Sequence, residues 1–421
     1  MSADTVTQTA RQALGSACSQ VEEARQGDDV DGVRPTMVAR PTDVDQVAEV
    51  LRAAAAHRLT VVLRGRGTKL AWGTAPRSAD VLLDVSGLDQ VLDHAAGDLI
   101  AVAQAGATLA DLQHVVAGGG QRLALDETLP GASVGGTLAT NTSGPGRMAV
   151  GTARDLVIGM TVVRADGVVA KSGGRVVKNV AGYDLGKLMI GSHGTLAVIV
   201  DATFRLHPLP QARRWISVEA DTPAAAAAQA GAVIHSQCVP AAVEVHQPPQ
   251  GRPSVHVLLE GRPDGVQGRA ETVLGLLGSA AQVTDAAPAD WGVLPWPTGD
   301  PGAGRATALK LTFVLSGLAD VLAAARQCPA AVTLRGSAGA GVLHAAVAPG
   351  SATDDVATCV AQLREVCRRL GGTVVVLDAA PAVKSAVDVW GPVAAIDLMR
   401  RVKDQFDPDH RLAPGRFIGG I

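Results

Sequence analysis

Aromatic side chains are scarce in this chain of 421 residues, which has one Tyr, four Phe and five Trp. A surface of interleaved aromatics that stacks nucleic-acid bases is therefore nearly excluded. The formal net charge is −3 and the basic residues form no block, which argues against nucleic acid as a partner. Leu, Val, Ile and the abundant Ala must therefore build most of the hydrophobic core.

Cysteines are also few, and they are scattered along the chain at Cys18, Cys238, Cys328, Cys359 and Cys367. The sequence contains no C-x-x-C motif or Cys/His run, so we expect no metal site and thiols in a reducing cytoplasm. The first residues show no basic patch followed by an apolar run, and no stretch reaches the ~18–20 apolar residues of a membrane helix. We expect a cytoplasmic protein that can also lie peripherally on the inner face of a membrane through a partner.

The pattern of apolar residues predicts an α+β protein of four parts. Residues 1–34 are polar and weakly patterned, which predicts a loosely held N-terminal arm. Residues 35–210 alternate helix and strand signals. Residues 211–390 show the order β-α-β-β-α twice, which predicts one antiparallel sheet covered by helices on one face. Residues 391–421 contain a last helix and a tail.

Local signals place several elements in the second of these parts. Thr42 with Asp45, and Thr108 with Asp111, have the spacing of capping boxes at helix starts. An Asp-Gly turn inside residues 162–170 predicts a hairpin.

The first of three glycine-rich motifs is RGRGTKL, residues 64–70, directly after a strand-like run. Gly65 and Gly67 can adopt positive φ and turn backbone N–H groups inward as an anion nest. Neighbouring side chains add charge and a hydroxyl group: Arg64, Arg66, Thr68 and Lys69. The composition suits a diphosphate, although an ordinary basic turn stays open because neither the Walker A motif nor the dinucleotide fingerprint is present.

The second motif is PGASVGGTLATNTSGPGRMAVGTARD, residues 130–155. Six glycines and many small hydroxyl residues keep the backbone bare, so the segment can press against a flat polar ligand and donate many hydrogen bonds. The alternative is a long disordered loop, which would be unusual inside an ordered domain.

The third motif is SGGRVVKNVAGYDLGKLMIGSHGTLAVIV, residues 172–200. Tyr183 is the only Tyr of the chain, so its hydroxyl is a candidate for a specific hydrogen bond. The alternative is a Tyr packed by chance at the domain surface. Lys178 precedes Tyr183, and His193 lies in a tight turn, GSHGTL.

Taken in order, RGRGTK, PGASVGGTLATNTSGPGR, ARDLVIGMTVVRADG, KNVAGYDL, GSHGTLAVIV and LHPLP resemble the FAD-binding domain of the vanillyl-alcohol-oxidase/PCMH-type flavoproteins. The resemblance covers about residues 42–210, is weaker beyond, and returns at FDPDHRLAPGR, residues 406–416. The run VVKNVAGYDLGKLMIGSHGTL is similar in particular to the FAD-binding subunits of bacterial glycolate oxidases. The resemblance implies an FAD-binding domain of two α/β subdomains, a cap domain for substrate or partner, and a C-terminal tail that returns to the FAD domain.

The resemblance also implies which residues bind FAD. It places the diphosphate at residues 64–69 and 131–137, and the ribityl chain and flavin ring along residues 141–147 and 198–199. A cation such as Arg147, Arg154 or Lys178 would stabilise the reduced anionic flavin. Some relatives attach FAD through a His in the first loop, but residues 64–70 contain none, so we expect non-covalent FAD. The implied cofactor-binding residues are Arg64, Gly65, Arg66, Gly67, Thr68, Lys69, Leu70, Pro130, Gly131, Ser133, Val134, Gly135, Gly136, Thr137, Asn141, Ser143, Gly144, Gly146, Arg147, Arg154, Val198 and Ile199.

The sequence departs from the family at a motif near HxGDGNxH, which can bind a divalent metal and substrate in relatives that oxidise 2-hydroxy acids directly. The corresponding stretch, SAGAGVLH, keeps only His344, with Ser337, Ala340 and Val342 where the family has His, Asp and Asn. Two small apolar residues cannot act as metal ligands. The catalytic residue is therefore unassigned, with Lys178, Tyr183, His193 and His344 as weak candidates, and His344 is also explained as an ordinary strand histidine.

The resemblance implies a FAD-binding subunit of a glycolate oxidase/dehydrogenase complex, which oxidises glycolate, a 2-hydroxy acid, to glyoxylate. Its implied partners are a sister flavoprotein subunit and an iron–sulfur subunit, which receive electrons through FAD. Two alternatives stay open: a self-sufficient FAD-dependent dehydrogenase of D-lactate or another 2-hydroxy acid, and a non-catalytic scaffold subunit of the complex.

Overall fold

The computed structural model describes residues 7–176, 183–296 and 305–421. The helices of these residues are α1 (Gln8–Ala17), α2 (Val44–Ala56), α3 (Leu109–Ala117), α4 (Val134–Thr140), α5 (Arg147–Val150), α6 (Ala153–Leu156), α7 (Gly186–Met189), α8 (Pro223–Ile234), α9 (Pro263–Leu277), α10 (Leu318–Arg326), α11 (Thr353–Arg369), α12 (Pro381–Ala386) and α13 (Ile396–Phe406). None of these helices is long and apolar enough to cross a membrane.

The strands are β1 (Val21–Glu23), β2 (Met37–Ala39), β3 (Val61–Arg64), β4 (Val81–Asp84), β5 (Val91–Ala95), β6 (Ile100–Gln104), β7 (Gln121–Arg122), β8 (Val157–Arg164), β9 (Val169–Gly173), β10 (Ala197–Arg205), β11 (His207–Pro208), β12 (Ala212–Glu219), β13 (Ala242–Gln247), β14 (Ser254–Gly261), β15 (Gln282–Thr284), β16 (Thr307–Thr312), β17 (Val332–Ser337), β18 (Val342–Val347) and β19 (Val374–Asp378). The chain divides into two compact units. The first contains the chain up to Thr142, Thr152–Leu209 and Pro392–Ile421, and the second contains Ser143–Gly151 and Pro210–Gly391.

The first unit contains two larger sheets. One has the order β1-β2-β4-β3, in which β2 and β3 run parallel to β4 and β1 runs antiparallel to β2. The other is antiparallel, with the order β5-β6-β10-β8-β9. A continuous core joins α1, α2 and β2–β4 with the buried valines of β8 and β10.

The N-terminal segment is part of this core, so the expectation of a loosely held arm is wrong for residues 7–34. Ala10 and Leu14 of α1 are fully buried, and β1 pairs with β2 along its whole length. Two apolar residues spaced four apart on one helical turn are enough to dock α1, although the rest of the segment is polar.

Local capping signals were accurate to within one residue. Thr108 caps α3 by accepting a hydrogen bond from the Asp111 backbone N–H, as predicted. Helix α2 is capped by Asp43 rather than Thr42, because the Asp43 carboxylate accepts from the Gln46 backbone N–H at 2.8 Å. The predicted hairpin is formed by β8 and β9. Residues 130–155, predicted as bare backbone, contain the short helices α4, α5 and α6.

The second unit contains one eight-stranded antiparallel sheet, with the order β15-β12-β14-β13-β17-β18-β16-β19. Alternate side chains of its strands pack against the apolar sides of α8, α9, α10 and α11 in one hydrophobic core. The predicted antiparallel sheet with helices on one face and the α+β class are therefore confirmed. The two β-α-β-β-α repeats were readable because apolar residues alternate along these strands.

A buried ion pair joins the C-terminal helix to the rest of the first unit. The Lys403 ammonium is fully buried and donates to the Asp407 carboxylate at 2.7 Å, to the Thr195 carbonyl at 2.7 Å and to the Leu412 carbonyl at 2.9 Å. The same Asp407 oxygen accepts from the Leu412 backbone N–H. All three ammonium protons therefore have acceptors, which is the condition under which a buried charge is tolerated.

We predict that Lys403→Met lowers the free energy of unfolding by about 3–5 kcal/mol, because it leaves the Asp407 carboxylate buried without its counter-charge. Denaturant unfolding followed by circular dichroism measures the change. Arg400→Met is the control in the same helix, since Arg400 pairs with Asp397 on the exposed surface and its loss should cost less than about 1 kcal/mol. Equal losses for the two variants would contradict the prediction.

Candidate functional site

The first unit carries a groove of about 790 Å³ that opens to solvent. Its walls come from distant parts of the chain: the 64–70 loop, the start of α4, the turn before β10, and the C-terminal tail. The lining residues are Val62, Leu63, Arg64, Gly65, Arg66, Gly67, Thr68, Lys69, Leu70, Val85, Ser133, Gly135, Gly136, Ala139, Thr140, His193, Gly194, Ala197, Val198, Ile199 and Arg416.

The 64–70 loop presents unsatisfied backbone donors. Among the described residues, the backbone N–H groups of the four successive residues 66–69 have no hydrogen-bond acceptor. Gly67 has a φ of +78°, a conformation that other residues rarely adopt. Successive free N–H groups beside a glycine in this conformation form an anion-binding nest.

Among the cations of this loop, Lys69 is the one whose charge is left unbalanced. The Arg64 guanidinium bonds to Asp84 at 2.9 Å and Asp28 at 2.8 Å. Arg66 lies 3.7 Å from the Asp89 carboxylate and donates to the Gly106 carbonyl at 3.1 Å. Lys69 is buried and makes no ion pair within the described residues. Burial lowers the pKa of Lys69 to about 8, and the nearby Glu127 only partly offsets this. An anion in the groove would restore the stability of the charged ammonium.

Glycines let α4 pack closely against this loop and against β6. Ser133 caps α4 by accepting from the Gly136 N–H at 3.2 Å, and a Cβ at Gly65 would lie 2.4 Å from the Ser133 Oγ. A Cβ at Gly135 would lie 2.7 Å from the Ala105 Cβ. Because Gly135 N–H bonds to the Ala105 carbonyl, this glycine serves helix–strand packing as well as lining the groove.

Another part of the lining consists of the GSHGTL turn and the start of β10. His193 has a φ of +53°, donates its backbone N–H to the Ala139 carbonyl, and stacks its ring at 5.5 Å from that of Phe417. Val198 and Ile199 follow as apolar lining.

The structure brings about half of the sequence-predicted residues into this groove: Arg64 to Leu70, Ser133, Gly135, Gly136, Val198 and Ile199, together with the catalytic candidate His193. Other predicted residues lie in the first unit but outside the lining: Pro130, Gly131, Val134, Thr137, Asn141 and Arg154. Ser143, Gly144, Gly146 and Arg147 lie in the second unit. The Tyr183 side chain is 93% exposed and does not line the groove, and Lys178 lies outside the described residues.

Sequence reasoning missed Arg416, which lines the groove from the far end of the chain. It also missed Gly194, Ala139, Thr140 and Ala197. The available signal was the resemblance at residues 406–416, which pointed to the tail without identifying a residue.

The second unit carries a row of basic side chains across its sheet. Lys310, His344, Arg335 and His246 lie opposite one another on β16, β18, β17 and β13. At one end of this row, the Asp290 carboxylate lies 2.9 Å from the His246 Nδ1 and 3.1 Å from the Arg335 Nη2. At the other end, Lys310 has no carboxylate partner within the described part of the chain.

Burial sets the charge states at this end of the row. It lowers the pKa of Lys310 to about 8, with Arg147 contributing through repulsion. Burial lowers the pKa of His344 to about 3, assisted by Lys310 and Arg147, so the imidazole is neutral at neutral pH. The Trp296 ring packs edge-to-face with the His344 imidazole, with 5.9 Å between the ring centroids. In residues 7–176, 183–296 and 305–421, no group of three or more His, Cys, Asp or Glu side chains could hold a metal ion.

Two protein families match the chain. Residues 35–173 match the family described as FAD binding domain, and residues 307–417 match the family described as FAD linked oxidases, C-terminal domain.

Curated relatives agree with these matches. Glycolate oxidase subunit GlcD of Bacillus subtilis (strain 168) is 32% identical over 211 residues, covering 50% of this chain and 45% of GlcD. D-lactate dehydrogenase of Archaeoglobus fulgidus is 35% identical over 172 residues, covering 41% of this chain and 39% of that enzyme. The matched part therefore spans less than half the length of either relative.

The fold has a close counterpart among solved structures. p-Cresol methylhydroxylase with substrate bound superposes with a TM-score of 0.74 at 16% identity, covering 97% of both chains. The protein has a PCMH-type FAD-binding fold, and its cofactor is FAD. The groove fits this cofactor, because free N–H groups and an unbalanced buried ammonium suit a diphosphate while glycines and valines leave room for a flat ring.

We predict that Gly135→Val yields a protein with little bound FAD, because the new side chain collides with Ala105 and displaces α4. The FAD-to-protein ratio after gel filtration measures the loss. Gly15→Ala in α1 is the control, since nothing lies within 4 Å of the added Cβ. It should retain FAD and gain up to ~1 kcal/mol of stability. A Gly135→Val protein with full FAD content would contradict the role of this contact.

We also predict that FAD affinity falls as the pH rises through about 8, the pKa of Lys69. Diphosphate binding favours the protonated ammonium and therefore raises its pKa. The affinity for FAD is full below pH 8, and above pH 8 it falls by up to about tenfold per pH unit. Titrations of apo-protein with FAD at several pH values measure this. Lys69→Met should bind weakly without this pH dependence, and Lys69→Arg should hold its affinity above pH 8. An unchanged pH profile in Lys69→Met would contradict the assignment.

Proposed function

We propose that this FAD-linked oxidoreductase is the FAD-binding subunit of a glycolate oxidase complex, equivalent to GlcE, and oxidises glycolate to glyoxylate. Electrons would pass through non-covalent FAD to a sister flavoprotein subunit and an iron–sulfur subunit. We place the chain in the cytoplasm, peripheral to the inner face of the membrane through these partners. The run VVKNVAGYDLGKLMIGSHGTL, which resembles GlcE, supports the choice of this subunit. The relative named glycolate oxidase subunit GlcD supports a glycolate oxidase subunit without distinguishing GlcE from GlcD.

The proposed reaction converts a secondary or primary alcohol beside a carboxylate into a carbonyl group, releasing two electrons and two protons. Bound FAD supplies the two-electron acceptor. The protein must therefore hold a carboxylate, orient the C–H bond and accept the hydroxyl proton. Glycolate and D-lactate share these requirements.

The observation that carries the proposal is the unbalanced positive charge at Lys310. A half-buried ammonium that has no carboxylate partner among the described residues, with the Arg147 cation acting on it, is costly unless an anion binds there. A small carboxylate is an anion of suitable size and charge, and charge-assisted hydrogen bonds are the strong ones. We therefore assign Lys310 to the substrate carboxylate.

The catalytic candidates differ in their suitability as a general base. His344 is a poor one, because a pKa of about 3 gives its imidazole little affinity for a proton. Its position beside Lys310 on the sheet suits a neutral hydrogen-bonding role. His193 lines the cofactor groove and remains the candidate with access to the flavin.

Anaerobic mixing of the full chain with glycolate or D-lactate tests the function. We expect the visible absorption band of the flavin to bleach with glycolate, and electron transfer to an acceptor dye to be fast only with the partner subunits. Rapid dye turnover by the chain alone, with D-lactate preferred, would instead establish the self-sufficient dehydrogenase. No bleaching with any 2-hydroxy acid, with or without partners, would leave the scaffold role and overturn the proposal.

The variant Lys310→Met tests whether Lys310 binds the substrate carboxylate. The variant should keep its FAD but need at least about tenfold more substrate for half-maximal bleaching, since a charged hydrogen bond contributes about 1.5–3 kcal/mol. Lys384→Met is the matched control in the same unit, because the Lys384 ammonium lies 3.8 Å from the Asp378 carboxylate. An unchanged substrate dependence in Lys310→Met would remove Lys310 from the site.

A further inference from the structure

The last turn of the chain's final helix and the tail after it, Lys403–Phe417, contact two parts of the lining of the cofactor groove. We name this segment the C-terminal strap. On one side, Lys403 bonds to the Thr195 carbonyl, and Phe417 stacks on His193 in the same turn. On the other side, Arg416 holds the end of the 64–70 loop. The groove therefore depends on a segment more than 200 residues distant from its other walls.

Arg416 is the strap residue that lines the groove itself. Its Nη2 donates to the carbonyls of Leu70 and Trp72, both at 2.8 Å. Its Nη1 is buried, and within the described residues it has no hydrogen-bond acceptor. Burial lowers the pKa of Arg416 to about 10, partly offset by Asp31, so the guanidinium still carries its charge at neutral pH.

A buried guanidinium with a spare donor normally meets an acceptor, because an unpaired N–H in the interior is costly. The loop that Arg416 holds is the one whose N–H groups at residues 66–69 are free, and Lys69 lies in the same lining. Guanidinium groups bind phosphate oxygens with two parallel hydrogen bonds. The available acceptor with this chemistry is the FAD diphosphate.

We propose that Arg416 is a cofactor-binding residue that contacts the FAD diphosphate, so that cofactor binding and docking of the C-terminal strap are coupled. The inference rests on FAD as the cofactor and not on the identity of the 2-hydroxy acid. If the Arg416 proposal fails, the substrate experiments are unaffected. If the substrate experiments fail, the Arg416 proposal still stands.

Arg411 provides a matched comparison within the strap. It is equally buried, it donates to the Ala165 carbonyl at 2.6 Å, and its Nη1 also lacks an acceptor. Arg411 does not line the groove. An effect that comes from burying a guanidinium in the strap should appear in both residues, whereas an effect on phosphate binding should appear at Arg416 alone.

The experiment uses the full chain freed of FAD and titrated with three probes: FAD, ADP and the phosphate-free riboflavin. Arg416→Met should raise the Kd for FAD and for ADP at least about tenfold and leave riboflavin binding within about twofold. Arg416→Lys should recover part of the loss. Arg411→Met should lower the melting temperature while leaving all three Kd values within about twofold. Equal losses in the two methionine variants, or an equal loss for riboflavin, would overturn the proposal.

Hydrogen–deuterium exchange of the wild-type chain tests the coupling if Arg416→Met does not fold. We expect FAD and ADP each to slow exchange of the strap amides at residues 411–417, and riboflavin to have no such effect. Unchanged exchange of these amides with ADP would overturn the proposal.

Discussion

The buried ammonium of Lys403 is the interaction on which the cofactor groove depends. It bonds at once to Asp407, to Leu412 and to the Thr195 carbonyl, and so attaches the end of the chain to the turn that forms one wall of the groove. Asp407 in turn orients the Leu412 backbone, after which the tail continues to Arg416. A buried charge is tolerated where protein groups pair with it, and all three protons of the Lys403 ammonium have acceptors here.

Cations that are buried or half-buried in this protein fall into two groups. Lys403 and Arg64 are balanced by carboxylates and serve the fold, since their partners are protein groups. Lys69, which is buried, and Lys310, which is half-buried, have no such partners in the described chain, and burial lowers the pKa of each to about 8. The imbalance distinguishes ligand-binding cations from structural ones, because a bound anion supplies the missing charge.

The glycines also have two roles. Gly67 takes a conformation that exposes backbone donors, which is a property of the loop itself. Gly135 leaves no space for a Cβ because Ala105 lies against it, and Gly65 is equally close to Ser133. The sequence pattern predicted an anion nest at Gly65 and Gly67 and close approach to a ligand at Gly135, but at Gly65 and Gly135 the close approach is to protein. Part of the groove lining is thus a product of close packing between α4 and its neighbours.

Signals carried by a few neighbouring residues were readable from the sequence: the Thr108 cap, the β8–β9 hairpin, the two β-α-β-β-α repeats, and the ordered glycine motifs that point to FAD. They were readable because hydrogen bonding and apolar alternation act over a few positions. The docking of α1, the groove position of Arg416, the pairing of Arg64 with Asp28 and Asp84, and the unbalanced charge of Lys310 were decided only by the tertiary structure. Whether a buried charge is balanced depends on residues tens to hundreds of positions away, and no local pattern records which of them meet.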